Sequence, residues 1–341
     1  MKAAIIERPQ VLTVKNIPEP PMGEYDALCE LLYGATCSGT DMHLLNGRFP
    51  WPVNYPTVLG HESIGRVVKV GAKVRHFQVG DLVTRVGTLP VAGYDINWGG
   101  FAELGIARDH RAAQEDGLPA SEWAGYRVNQ RIPAGIDPAA ATMMITWRET
   151  FSYLTRMGFS AGASLLVIGS GGNGLAFANH AANLGASRVG MIGSGEREAT
   201  ARAVGVTDFA DYHRPEAMQG LKDAVPDGFD YVLDVVGKSG LLDAGLGYLR
   251  NGGAVSIYGL DEFGTCQLNP LNARGTFTYA SYGYDEAETH EPIVDFILAG
   301  KLNAAHWLNL DTPYPLDDIT AAFDGVKART VVKAVVRLKE G

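Results

Sequence analysis

A chain of 341 residues, 46% apolar and 20% charged, is long enough for two cored domains and too polar to be a membrane-embedded bundle. Its net charge of −9 excludes nucleic acid and anionic membrane surfaces as principal partners. The three cysteines, Cys29, Cys37 and Cys266, form no CxxC pair and no disulfide framework. No apolar run approaches the ~20 residues of a membrane helix, and the first residues read as a strand rather than a signal peptide. A cytoplasmic enzyme acting on a small molecule is expected.

In chain order, residues 2–7, 26–35, 63–70 and 81–86 are short β-branched or alternating runs separated by Gly, Pro and Asn. They predict a β-rich first domain over 1–150, with Gly99-Gly100-Phe101-Ala102-Glu103 opening a further extended segment. Residues 111–131 are polar and patternless and read as a surface loop, whereas 138–157 read as helix.

From residue 163 the pattern changes to alternating strands and helices. Strands are expected at 165–168, 188–192, 208–210, 231–236, 254–258 and 276–281, with helices at 175–184, 196–204, 216–224 and 241–249. This is the pattern of an α/β, doubly wound parallel sheet of six strands, here over 151–285. A helix over 288–298 and a β-rich segment over 331–338 follow, and 286–341 is expected to return in part to the first domain.

The first of these strands runs into Gly169-Ser-Gly171-Gly172-Asn-Gly174 and then a helix of small residues. The first glycine allows a tight turn, the second lets backbone approach a pyrophosphate, and the third lets the helix pack against the strand. A dinucleotide site is therefore expected at Gly169, Gly171, Gly172 and Gly174. Val235-Val236-Gly237 and Tyr258-Gly259-Leu260 end the fourth and fifth strands, so Val236 and Gly259 should border the nicotinamide and its ribose.

An acid at the tip of the second strand would bind the ribose 2′-hydroxyl and repel a 2′-phosphate. That strand instead ends in Gly193-Ser194-Gly195, with Arg197 close behind and Glu196 as the single acid that could turn toward the ribose.

Five motifs in order, Gly39-Thr40-Asp41-Met42-His43, Leu59-Gly60-His61-Glu62, Val79-Gly80-Asp81-Leu82-Val83, Gly99-Gly100-Phe101-Ala102-Glu103 and the glycine fingerprint, resemble the medium-chain dehydrogenase/reductase superfamily. The resemblance covers nearly the whole length. It implies a GroES-like catalytic domain, a Rossmann domain and a cleft between them where hydride is exchanged, with homodimers or homotetramers usual. Gly193-Ser194, followed by Gly205 and Tyr212, resembles NADP-using bacterial alcohol dehydrogenases, so NADP(H) is expected over NAD(H).

The metal half departs from the family. A zinc-ligating cysteine normally stands directly before the Gly-Thr-Asp motif, where this chain has Ser38; Cys37 is one residue earlier. On an extended segment a one-residue slip turns the side chain to the opposite face, so Cys37 does not simply stand in unless a local bulge brings it inward. The position of the third ligand, counted back from Gly162, falls on Ile145, flanked by Met144 and Thr146; none of these is a good ligand. A catalytic zinc is left open, with His61, Glu62 and Cys37 as its ligands if it is retained and Glu149 as an outside candidate. A structural zinc is not expected, because residues 87–115 contain no cysteine.

The resemblance assigns Thr40 and His43 to hold the alcohol and relay its proton, with Ser38, His61 and Glu62 shaping a polar pocket. The expected activity is NAD(P)-dependent interconversion of a secondary alcohol, with polyol and sugar-like alcohols among the candidates, and its ketone, without catalytic zinc if hydrogen bonds supply the electrophilic help. The alternative is a zinc-free NADPH-dependent reductase of an activated C=C bond, like the quinone reductases. Each site residue also has a structural role to weigh: Thr40 and Asp41 as helix caps, His61 and Glu62 as a hydrogen-bonded pair, Glu149 as an exposed helix residue, Cys29 and Cys266 as inert thiols. Trp51, Tyr94, Trp98 and Trp147 are candidates for a stacking pocket or for core.

Overall fold

The computed structural model describes residues 1–262, 264–279 and 281–339. The chain divides into two compact units, Met1–Arg148 with the C-terminal segment from Glu286, and Glu149–Asp285. Among the described residues no helix is long and apolar enough to cross a membrane.

The first unit is built on strands. Its larger sheet centres on Asp26–Ala35, which pairs antiparallel with Glu62–Val70, with Leu104–Arg108 and, through its last residues, with Val335–Arg337. Register shifts between Leu28 and Cys29 and between Leu31 and Tyr33 mark bulges in the central strand, so its facing pattern is not a single unbroken alternation. A second sheet orders Val11–Asn16, Lys2–Arg8, Thr57–Val58 and Asp95–Ile96. Ile5, Ile6, Leu31, Val58, Leu59, Val86 and Phe101 are buried in the core of this unit.

The stretch read as a surface loop is partly helical: His110–Glu115 is followed by 3-10 turns at Ala120–Glu122 and Ala124–Val128. Asp109 caps the first, its carboxylate accepting from Ala112 N–H. A six-residue helix and single turns are too short to show periodicity in sequence.

The second unit is a six-stranded parallel sheet in the order Asp208–Asp211, Arg188–Gly193, Ser164–Ile168, Phe229–Asp234, Leu249–Ile257 and Thr278–Tyr279. The last expected strand includes residue 280, which lies outside the described residues. The winding reverses between Ser164–Ile168 and Phe229–Asp234, and the crevice at the carboxyl ends of the strands at such a reversal is where ligands dock in open α/β sheets. The glycine turn sits there. Gly169 has φ +118°, and a Cβ on Gly174 would lie 2.0 Å from Gly169 O, so any side chain at 174 would push the helix Gly172–Asn183 off the strand.

A buried polar knot ties distant segments of the first unit. The fully buried Arg148 guanidinium is ion-paired with Glu286 and donates to Val128 O at 3.1 Å and Gln130 Oε1 at 2.9 Å. Arg85 Nη1 lies 3.4 Å from the other Glu286 oxygen. His290 Nε2 lies 2.9 Å from Arg131 O, which takes its proton, so Nδ1 faces Arg148 as an acceptor at 3.4 Å. Burial first, and then the charge of Arg148, push His290 down to about 4 from its ordinary 6.5. The folded chain therefore holds this imidazole neutral in a window where the unfolded chain protonates it. Stability should fall by about 3 kcal/mol as pH drops from roughly 6.5 to 4. Denaturant unfolding at pH 7 and pH 4.5 measures it, and His290→Gln should flatten the dependence in that window.

Candidate active site

The strand Asp26–Ala35 ends two residues before Cys37, and the helix Thr40–Leu45 begins three residues after it. The turn between them is set by Asp41. One carboxylate oxygen of Asp41 accepts Cys37 N–H at 2.9 Å and the other lies 3.0 Å from His61 Nδ1. Asp41 is not the helix cap; Gly39 holds that position with no side-chain hydrogen bond. The carboxylate is fully buried and orients the turn and the imidazole together.

His61 immediately precedes the strand Glu62–Val70. With Nδ1 committed to Asp41, its Nε2 faces the Glu62 carboxylate at 3.8 Å. Glu62 takes the Thr146 hydroxyl on Oε1 at 2.8 Å, and Oε2 is paired with the Lys333 ammonium. Glu62 and Lys333 are each only 2% exposed. Burial lowers the proton affinity of His61, but the charge and hydrogen bond of Asp41, and then Cys37, outweigh it and hold His61 well above its usual range. Lys333 behaves alike: burial pulls it down, while Glu62, Cys37 and Asp41 together raise it.

Cys37, His61 and Glu62 bring their ligand atoms within 4.8 Å of one another, the one such group of three among the described residues. This corrects the expectation that Cys37 points away. Strand alternation stops at Ala35, and a turn pinned by Asp41 sets the direction of the thiol instead. Cys37 is buried and Ser38 is exposed. One thiolate, one imidazole nitrogen and one carboxylate, with a carboxylate behind the imidazole to fix its tautomer, is a donor set that fits zinc with a position left open.

Thr40 and His43 lie one turn apart on the helix Thr40–Leu45, both half-buried, so they share a face beside Asp41. Ile145 is core; its neighbour Thr146 is the residue that reaches the site. Glu149 is buried rather than exposed and accepts from Tyr258 hydroxyl at 3.3 Å within the second unit. Cys29 is buried, its thiol pushed up to about 12 by burial, and Cys266 is an exposed loop residue.

The aromatic candidates separate. Trp98 lies 5.3 Å from the His61 ring, and Phe49 packs edge-on to both Trp98 and Trp51. Trp98 and Trp51 remain 42% and 51% exposed. Trp147 is core, packed on Trp307, and Tyr94 lines the edge of the first unit's core. Trp98 and Arg85 are both non-glycine residues at positive φ, +63° and +57°, with the guanidinium over the indole at 5.8 Å.

In the second unit, buried Asp234 accepts Val236 and Gly237 N–H at 2.8 and 3.0 Å and so shapes the loop after the fourth strand. Gly259 packs on that loop; a Cβ there would lie 2.0 Å from Val236 C. Ser194 N–H donates to Ser170 Oγ of the glycine turn at 3.1 Å, and Tyr212 N–H to Gly193 O at 3.2 Å. Arg197 ends the 3-10 turn Gly195–Arg197, and the half-exposed Tyr212 ring stacks on His213 at 4.0 Å.

Two contributors, Lys333 and Thr146, have no motif, and Asp41, which lies inside one, has an orienting role that the motif does not reveal. Lys333 did leave a trace, as a lone charge inside the apolar run Val331-Val332-Lys333-Ala334-Val335-Val336.

Comparison with known proteins agrees with this architecture. Residues 23–117 match the alcohol dehydrogenase GroES-like domain family, and residues 172–299 match the zinc-binding dehydrogenase family. An L-threonine 3-dehydrogenase of Streptomyces coelicolor is 30% identical over 281 residues, 77% of this chain and 79% of that protein. An L-threonine 3-dehydrogenase of Aliivibrio salmonicida is 27% identical over 94% of both chains. The alcohol dehydrogenase TADH from Thermus sp. ATN1 shares the fold, with TM-score 0.81 and 23% identity over 99% of this chain and 100% of that one. The chain belongs to the medium-chain dehydrogenase/reductase superfamily of oxidoreductases.

Proposed function

We propose that this protein is a nicotinamide-dependent dehydrogenase that interconverts a secondary alcohol and its ketone, with a zinc ion held by Cys37, His61 and Glu62. The observation that carries the proposal is the convergence of those three donors within 4.8 Å, with Asp41 behind the imidazole. When bound, zinc supplies Lewis-acid polarisation at oxygen. The relatives named as L-threonine 3-dehydrogenases support the same class of reaction.

The chain's own groups account for the rest. Asp41 fixes the His61 tautomer so that Nε2 faces the other donors. The Lys333 ammonium pairs with the buried Glu62 carboxylate and offsets its charge. In alcohol oxidation Thr40 Oγ1 would accept the hydroxyl proton and pass it toward His43, and a bound nicotinamide would supply the hydride acceptor. Trp98 and Trp51 give the substrate an apolar wall. Preorganised polar groups at the position where alkoxide charge develops are the main source of rate in such a site.

The purified protein should contain one zinc per chain by elemental analysis. Cys37→Ser and His61→Gln should lose it and Ser38→Ala should keep it; a metal-free, active wild type would overturn the assignment. Thr40→Val should lower kcat by about 10²–10³ in steady-state assays on a secondary alcohol. Lys333→Met should cost about 3–5 kcal/mol in denaturant unfolding, because it leaves a buried carboxylate without its countercharge. The double variant Glu62→Gln/Lys333→Met should recover most of that loss.

A further inference from the structure

The second strand of the parallel sheet, Arg188–Gly193, ends without an acid, but its lateral neighbour Asp208–Asp211 ends level with it. Gly193 and Asp211 are register partners. From there the Asp211 carboxylate reaches over the tip. A Cβ placed on Gly195 would lie 2.6 Å from Asp211 Oδ2, and Gly195 N–H donates to the same carboxylate. The other oxygen is taken up by His213, whose backbone N–H and Nδ1 each lie 3.0 Å from Oδ1. Asp211 thus has one oxygen fixed by His213 and one at the end of the second strand. Its side chain is 21% exposed.

This is the place where dinucleotide-binding sheets meet the adenosine ribose. Two of the arginines near this edge already have carboxylate partners. Arg202 is paired with Glu198 at 3.0 Å and Arg214 with Glu216 at 2.8 Å, while Arg197 shares its turn with Glu196.

We infer that Asp211 is the residue that selects the nucleotide, accepting a hydrogen bond from the ribose 2′-hydroxyl of NAD(H) and disfavouring the 2′-phosphate of NADP(H). The inference rests on the proposal that a nicotinamide dinucleotide docks on the 169–174 turn. It reverses the preference expected from the second strand alone: the acid missing from that strand is supplied by the adjacent one.

The test compares ADP-ribose with 2′-phospho-ADP-ribose by titration calorimetry on the full-length protein, alongside kcat/KM for NAD⁺ and NADP⁺. Wild type should favour the unphosphorylated ligand by on the order of tenfold or more, and Asp211→Asn should reduce that ratio by a similar factor. Asp211→Ser serves as a second variant, and melting temperatures check that both fold. Tighter binding of 2′-phospho-ADP-ribose by wild type, or an unchanged ratio in both folded variants, overturns the inference. Failure of either ligand to bind overturns the dinucleotide reading as well. Nucleotide binding without alcohol turnover would sink the proposed reaction while leaving the role of Asp211 decided by the binding ratio.

Discussion

A carboxylate that has left water needs a countercharge, and Glu62 finds its partner 271 residues away in Lys333. Much of the first unit follows from that requirement. The segment carrying Lys333 must return to the central strand, and it does so by backbone pairing. Thr36 N–H donates to Ala334 O at 2.9 Å, Ala334 N–H donates to Thr36 Oγ1 at 2.9 Å, and Val335 and Val336 pair with Ala35 and Gly34. These contacts place the ammonium against Glu62 and also fix the end of the strand from which Cys37 departs. Sheet closure and assembly of the ligand set are the same event.

The second unit solves a different problem by different means. A phosphate-bearing ligand is met mainly by backbone N–H groups and close approach, which call for glycine rather than for charge. Its turn is therefore built from residues defined by the side chain they lack. At the tip of the second strand the neighbouring acid is Asp211 of the adjacent strand, with one oxygen engaged by His213.

The parts legible in the sequence are those carried by local period and spacing. The strand–helix alternation, the glycine fingerprint and the motifs around Asp41 and His61 each lie within a few consecutive residues. What escaped depended on where regular structure stops or on which strands lie side by side. Cys37 faces away on an extended segment, but the strand ends at Ala35. Asp41 looked like a cap because caps are common before short helices, whereas its hydrogen bonds go to Cys37 and His61. Thr146 stands beside the position expected for a third ligand and is a poor metal donor; its part is to donate to Glu62. Asp211 belongs to a different strand from Gly193, and only the sheet order makes them neighbours.

The pairing of Glu62 with Lys333 also imposes an order on synthesis. Every residue of the second unit, Glu149–Asp285, is made after Glu62 and before Lys333. Until Lys333 has been added, Glu62 has no ammonium to pair with and is best kept in water. The nascent first unit thus lacks this pair until the whole of the intervening unit, whose parallel strands fall within one continuous stretch of chain, has been made. The half of the protein that begins first is the last to have all its parts.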